Sequence, residues 1–342
     1  MNSTQKIPPL LFGTSGLGNL FVALEEREKQ RIVEESVRCS IGIPVFDSAG
    51  KYGAGLALEC LGKALKELGI PPQQVIISNK LGWLRTKLHH AEPTFEPGVW
   101  KNLQHDAVQK ISYSGIMECF EQGNELLNGY IPLMLSVHDP DEYLSKARDQ
   151  AHEQELYQDI LDAYAALFEL KKQGQVQAIG VGAKNWKIIQ RIAKDVDLDW
   201  IMVANSLTIK QHPPELLEFI LQMSGKGVHV INSALFHSGF LVGSDYFDYQ
   251  QIFREDQHYI HLYKWRDAFF ELCKVFSIKP AEAAVQFGLY INGVKSIALN
   301  TTNSARVRQN ADMLNKSIPM EFWEAMRNQQ LIQINSTHFN LL

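Results

Sequence analysis

Four residues of this chain carry side chains that together could move a proton. Asp47 and Tyr52 stand five residues apart in "VFDSAGKYG" (Val45–Gly53), Lys80 ends "ISNK", and His138 sits in "LSVHDPDEY". A free phenol titrates near ~10, so a tyrosine alone is a poor proton carrier at neutral pH. A neighbouring ammonium favours the phenolate, and moving the phenol by ~3 units takes ~4 kcal/mol of differential stabilisation. A lysine buried for that purpose needs a counter-ion, which Asp47 can supply while fixing its direction. His138 can then orient a substrate oxygen. The set would be a tuned general acid/base facing a carbonyl or a carbinol. Taken singly, each residue has an ordinary alternative. Asp47–Ser48 can cap a helix, a tyrosine beside glycine can pack, a strand-end lysine can reach solvent, and His138 precedes "DPDE", which reads as the opening of a helix. Placement in the fold has to decide.

Short apolar runs alternate with helical patterns along the chain. "PLLFG", "IPVFDS", "QVIISNK", "PLMLSVHD", "VQAIGVG", "DWIMVAN", "GVHVINS" and "VKSIAL" read as eight strands. Between them lie amphipathic stretches. Glu25–Ser40 has Ile32, Val33, Ser36 and Val37 on one side, and Leu56–Gly69 is stopped by Gly69 and the prolines beyond it. Further helices are read at 157–174, 186–195, 214–225, 259–275 and 280–290, with two more after the last strand. Parallel neighbours need crossover connections. Eight strand–helix units in one chain therefore predict an α/β fold, a closed (β/α)8 TIM barrel, as a single domain over residues 1–342. Two insertions, Leu84–Ser112 and Phe236–Gln257, give long loops after strands 3 and 7. Asp47, Lys80 and His138 end strands two, three and four, and Tyr52 follows strand two. Such positions converge on the mouth of a barrel, where barrel enzymes keep their chemistry. Jointly, the functional reading wins.

Composition narrows the partners. The 342 residues carry 33 basic and 38 acidic side chains, a net charge of −5, without a basic stripe. That argues against nucleic acid and anionic membranes. Nothing at the N-terminus resembles a signal peptide, and no segment is long and apolar enough to span a bilayer. Cys39, Cys60, Cys119 and Cys273 are scattered, which suits reduced thiols in a cytoplasmic protein. His258 and His261 read as a surface pair, so no metal is expected. "GTSGLG" has its glycines at 13, 16 and 18 and is not a G-x-G-x-x-G fingerprint.

"FGTSGLGNLF", "FDSAGKYGAGLALECLGKAL", "ISNKLGW", "VHDPDEY" and "AIGVGAKNW" together resemble the aldo-keto reductase superfamily, in particular its aldose dehydrogenases. The resemblance runs from Leu10 to about Leu314. It implies that Asp47, Tyr52, Lys80 and His138 form a catalytic tetrad. Tyr52 would be the proton donor or acceptor, Lys80 would lower its pKa, Asp47 would pair with Lys80, and His138 would orient substrate. It also implies a nicotinamide cofactor extended across the barrel mouth. The contacts would come from Gly13, Thr14 and Ser15, from Ser238, Gly239 and Leu241 in "FHSGFL", and from Asn300, Arg306, Gln309 and Asn310 in "ALNTTNSARVRQN". Gln309 stands where the family pattern has Glu. Asn300 stands where NADP-dependent members often carry a basic residue, so NAD is expected, with NADP possible through Arg306. Where many members carry the Asn that binds the nicotinamide carboxamide, either Asn185 shifts to make the contact, which is the expectation, or Lys184 occupies the site and the contact is lost. The implied reaction is hydride transfer between the C1 hemiacetal of an aldose and the nicotinamide, giving a lactone. The alternatives are an NADPH-dependent aldehyde or ketone reductase, a pyridoxal dehydrogenase, and a cofactor-sensing binding subunit. A small-molecule substrate and a monomer or small homo-oligomer complete the expectation. Trp83, Trp100, Tyr246, Phe247 and Tyr249 offer aromatic faces for a sugar or a pyridine ring, or simply pack the loops.

Overall fold

The apolar runs become eight barrel strands: β1 (Leu10–Gly13), β2 (Val45–Ala49), β3 (Ile76–Leu81), β4 (Met134–His138), β5 (Ala178–Ala183), β6 (Trp200–Ala204), β7 (His229–Ser233) and β8 (Val294–Leu299). The computed structural model describes residues 7–248 and 250–340. The strands close into a barrel in chain order, with β8 returning to β1. The β1–β2, β2–β3, β3–β4 and β4–β5 pairs are parallel. Every residue of β2, β3, β4 and β5 is buried. Strands of parallel sheets are covered on both faces, which is why these runs read as continuous rather than alternating.

Contacts divide the chain into two compact units, Met1–Ile201 with Ala298–Gln309, and Met202–Ile297 with Asn310–Leu342. The first unit carries helices Glu26–Cys39, Leu56–Glu67, Tyr113–Leu126, Pro140–Leu144, Gln150–Lys172 and Trp186–Asp195. The Tyr113–Leu126 helix was not legible in the sequence, because Gly115, Gln122, Gly123 and Asn124 interrupt its apolar stripe. Ser112 caps it by accepting from the Gly115 N–H at 3.0 Å. The glycines serve close approach instead: a Cβ on Gly123 would lie 2.7 Å from Asn79 Nδ2. The insertion after β3 is not plain loop. It holds an antiparallel hairpin, Trp83–Lys87 against His105–Gln109.

The second unit carries helices Pro214–Gly225, Ile260–Val275, Pro280–Tyr290 and Met320–Asn328. Its insertion after β7 contains a helical turn, Phe240–Val242, and a small hairpin, Tyr246–Phe247 with Gln250–Gln251. Tyr249 lies outside the described residues. Arg266 anchors this insertion by donating to the Ser244 carbonyl at 2.7 Å. Among the described residues no helix is long and apolar enough to cross a membrane, and no cluster of three or more His, Cys, Asp or Glu side chains could hold a metal ion.

Candidate active site

Strand register brings the first charged pair together. Asp47 lies opposite Ser78, and Ala49 opposite Lys80. Side chains two apart on a strand share a face, so Ser78 and Lys80 both reach the Asp47 carboxylate. Lys80 Nζ donates to Asp47 Oδ2 at 2.6 Å and to the Ser48 carbonyl at 3.2 Å. Ser78 Oγ donates to Asp47 Oδ1 at 3.2 Å. Asp47 and Lys80 are each 4% exposed. A pair this dry is stable only because both ends are hydrogen-bonded.

Tyr52 sits on the turn that follows β2. Its N–H donates to the Ala49 carbonyl at 3.1 Å, and its own carbonyl accepts from the Ala57 N–H at 3.2 Å. Gly53, Ala54 and Gly55 all take positive φ, 63°, 52° and 82°, which swings the chain from the turn into the next helix. Arg85 Nε of the hairpin fastens the turn by donating to the Ala54 carbonyl at 2.6 Å. Below, Gly53 meets Gly18 backbone to backbone: a Cβ on Gly53 would lie 2.3 Å from the Gly18 carbonyl oxygen. A Cβ on Gly18 would in turn lie 2.7 Å from the Tyr52 carbonyl carbon. So placed, the phenol ring has Lys80 Nζ 4.8 Å from its centroid. The His138 ring meets it edge-on at 5.5 Å, and the Trp100 ring lies at 5.9 Å. Only His138 ends its strand: Asp47 stands in the middle of β2, Lys80 is the last residue but one of β3 and Tyr52 lies on the turn after β2, yet the four come to one place.

His138, 4% exposed, ends β4. Burial pushes its imidazole down to about 3; Asp139 opposes this, while the Lys80, Lys51 and Lys184 cations reinforce it. The ring is therefore neutral at pH 7, with Nδ1 buried and unpartnered and Nε2 3.5 Å from Asp139 Oδ2.

Beside Tyr52 the structure adds a group that the sequence reading missed. Lys51, 3% exposed, directs its ammonium inward. Asp139 Oδ2 lies at 2.9 Å, Glu142 Oε2 at 2.7 Å and Glu96 Oε1 at 2.9 Å. The second oxygen of Glu142 accepts from Lys184 Nζ at 2.7 Å. The second oxygen of Glu96 accepts from Trp100 Nε1 at 2.6 Å. Trp100, Phe95 and Leu103 form a small apolar cluster, against which Tyr52 and Trp83 pack. The only sequence signal for Lys51 was its position next to Tyr52.

The residues expected to hold a cofactor fall into three groups. Gly13, Thr14 and Ser15 lead from β1 into a helical turn. Thr14 Oγ1 donates to the Asp47 carbonyl at 3.1 Å. Asn300, just past β8, is drawn to the same loop: its Oδ1 accepts from the Gly16 N–H at 3.2 Å. A Cβ on Gly13 would lie 3.1 Å from the Asn300 Cβ. Arg306 and Gln309 are exposed on the helix Ser304–Asp312, and Asn310 is half-buried there. At the start of that helix Glu28 Oε1 accepts from the Ser304 N–H at 2.6 Å, a contact that the sequence did not announce. Ser238, Gly239 and Leu241 belong to a turn of the second unit with φ of 46° at His237, 56° at Ser238 and 96° at Gly239. Leu241 is buried there, its N–H donating to the Phe236 carbonyl at 3.1 Å. Asn185 follows β5, and its N–H donates to Asp141 Oδ2 at 2.8 Å. Its side chain caps the helix Trp186–Asp195, accepting from the Lys187 N–H at 3.1 Å, and the residue is exposed.

Comparison with known proteins agrees with this architecture. The profile described as Aldo/keto reductase family matches residues 9–329. Pyridoxal 4-dehydrogenase of Microbacterium luteolum is 28% identical over 339 residues, 95% of each chain. D-threo-aldose 1-dehydrogenase of a Pseudomonas species is 26% identical over 334 residues, again 95% of each. The holo form of an aldo-keto reductase from Bacillus halodurans superposes with a TM-score of 0.69 at 20% identity, covering 97% of this chain and 94% of that one.

Proposed function

Because the chain belongs to the aldo/keto reductase family, we propose that this oxidoreductase removes hydride from the carbinol carbon of a cyclic hemiacetal, an aldose at C1, with NAD as acceptor, and releases a lactone. The observation that supports this reading most is the buried Asp47–Lys80 pair held against the Tyr52 ring. A bound nicotinamide supplies the hydride acceptor. The remaining work falls to the chain's own residues. Lys80 stabilises Tyr52 as phenolate. Tyr52 takes the hydroxyl proton as the carbon–hydrogen bond breaks, so the product carries a carbonyl and the proton stays on the phenol. His138, neutral, orients the reacting oxygen by hydrogen bonding.

The residues present suit a dinucleotide. Gly13 lets Asn300 pack close to the loop after β1, where a Cβ would lie 3.1 Å from the Asn300 Cβ, and Arg306 and Gln309 are exposed on the helix that follows Asn300. Arg306 can stack on adenine, and Gln309 can offer its carbonyl to the adenine amino group. Asn310 and the turn Ser238–Leu241 remain part of the proposed set. Asn185, engaged as a helix cap, is its weakest member. NAD is favoured over NADP for two reasons. Asn300 brings no cation, and the Glu28 carboxylate already occupies the start of the helix Ser304–Asp312. Helix N-termini are the natural seats of anions, and a second anion there would meet repulsion from the first. None of the four cysteines is in a disulfide, which suits a reducing, cytoplasmic compartment.

A second substrate has its own support. One of the relatives reported above is a pyridoxal dehydrogenase, and pyridoxal closes on its own hydroxymethyl group to a cyclic hemiacetal. Its oxidation is the same reaction on a flat ring, and Trp83, Phe95 and Trp100 beside Tyr52 suit either ring. The deciding experiment is a panel of aldoses, simple aldehydes and pyridoxal, each with NAD and NADP, followed by reduced-cofactor absorbance. NAD-linked turnover of an aldose is expected, with Tyr52→Phe losing about 10²–10⁴ in kcat while still binding NAD. Normal rates in Tyr52→Phe, or a clear preference for NADP, would sink the corresponding half of the reading.

A further inference from the structure

Lys51 has more to do than neutralise a surface. It is sealed from water beside the acid–base tyrosine, and it meets carboxylates at 2.7, 2.9 and 2.9 Å from two other stretches of chain. Two of these partners hold backbone conformations that side chains rarely adopt: φ is 47° at Asp139 and 43° at Glu96. Such strain persists only where the surroundings enforce it, and it gathers at functional sites. Lys51 adjoins Tyr52 in sequence, as Asp139 adjoins His138. The Asp139 Oδ2 atom that accepts from Lys51 is also the one facing His138 Nε2.

We propose that Lys51 is a positioning residue for the reaction, tying the turn that carries Tyr52 to the strand end that carries His138 through the carboxylate it shares with His138. The inference rests on the proposed roles of Tyr52 and His138. Without the ammonium, Asp139 would face the imidazole as a buried anion with Lys184 as the cation left to offset it. Its pull would raise the midpoint of His138 and turn the ring towards the carboxylate, and a redirected ring would no longer orient the substrate oxygen in the same way. The other groups that bear on His138 are Lys80 from β3, Lys184 after β5 and the Tyr52 ring edge. Glu142 lies one step removed, shared between Lys51 and Lys184. Burial already works to raise Asp139, yet the neighbouring imidazole and the Lys51 and Lys184 cations keep it below the usual carboxylate range. Burial likewise opposes the charge on Lys51, and Asp139, Glu96 and Glu142 overcome it. The cluster is thus a mutual arrangement, and Asp139 is the member both lysine and histidine touch.

The test uses the full-length protein in Lys51→Met, Lys51→Arg and the double variant Lys51→Met/Asp139→Asn. The His138 ring is titrated by NMR without substrate, so the result does not depend on which substrate is correct. In Lys51→Met the midpoint is expected to rise by at least one unit. On whichever substrate the panel identifies, kcat is expected to fall about tenfold or more with KM little changed, and the acid limb of kcat/KM to move up with the histidine. Lys51→Arg is expected to keep the wild-type midpoint, and the double variant to return towards it. A folded Lys51→Met with unchanged titration and unchanged kcat would overturn the proposal. If Lys51→Met does not fold, the double variant decides: a folded protein with His138 as in wild type supports the shared-carboxylate role. A double variant that is equally unfolded overturns it, because Lys51 would then serve packing and its glutamates alone. A silent panel with a shifted His138 would count against the substrate reading and not against Lys51.

Discussion

Lys80 and Lys51 are both nearly sealed from water beside the same tyrosine, yet they are held in opposite ways. Lys80 leaves a strand and meets one carboxylate, from the neighbouring strand, at a register the sheet fixes. Lys51 leaves a turn and meets three carboxylates, supplied by the Asp139–Glu142 stretch and by Glu96 in the insertion after β3. The first arrangement is built by the barrel itself. The second exists only once the loops have closed on one another. A barrel can thus hold one buried lysine by its frame and another by its loops, and loops are where barrels of this kind vary.

Removing the frame lysine is expected to have the largest effect. Lys80→Met leaves Asp47 buried without its counter-ion, which costs about 3–5 kcal/mol, and takes the cation away from Tyr52. Turnover should fall about 10³-fold, within the range general acid–base groups contribute. Adding Asp47→Asn should recover much of the stability, read by urea denaturation, and none of the turnover. Recovery of both would mean that the pair only holds the barrel together, erasing the contrast with Lys51.

Acid unfolding separates ion pairs from buried neutral groups. Burial holds His138 down to about 3, and His212 and His229 down to about 4 each. The unfolded chain takes up these protons near pH ~6.5 and the native state resists, so the unfolded state binds more protons in between. Stability is therefore full above pH ~6.5 and should fall as pH drops from there towards 4, by up to about 1.4 kcal/mol per pH unit for each histidine. Loss beginning only below the ordinary carboxylate range, near ~4, would assign acid sensitivity to pairs such as Lys51–Asp139 instead. Denaturant midpoints at half-unit intervals of pH distinguish the two.

The smallest effect is expected at the surface. Arg254 grips Asp267 with two hydrogen bonds, at 2.6 and 2.9 Å, but both side chains are 51% exposed. Arg254→Ala should cost about 0.5 kcal/mol. A loss above ~2 kcal/mol by denaturation would show that burial is not what sets these lysine pairs apart.

The same contrast explains what the amino-acid order revealed. The strands were legible because their buried runs through β2–β5 are mostly apolar, broken by small polar side chains such as Ser48, Ser78, Asn79 and Ser136 and by Asp47, Lys80 and His138, and the candidate tetrad was legible because three of its residues lie on consecutive strands and the fourth just after one. The hairpin at Trp83–Lys87 was not, since its residues are half-exposed or exposed and carry no clean alternation. The Lys51 cluster was not, since Asp139 and Glu142 lie 88 and 91 residues away. Glu28 was hidden still more deeply, in a helix whose periodicity explained everything except one carboxylate, which finds its partner 276 residues later. Local pattern specifies elements; it says little about which loop ends will touch.

The contact between Gly18 and Gly53 reaches beyond the chemistry it supports. Neither position has a functional atom, yet the smallest side chain at either would push on the segment bearing the phenol. Saturation mutagenesis across the gene should find these two codons almost as intolerant as those for the acid–base residues. A descendant that filled either position would first have to reroute the segment that carries Tyr52.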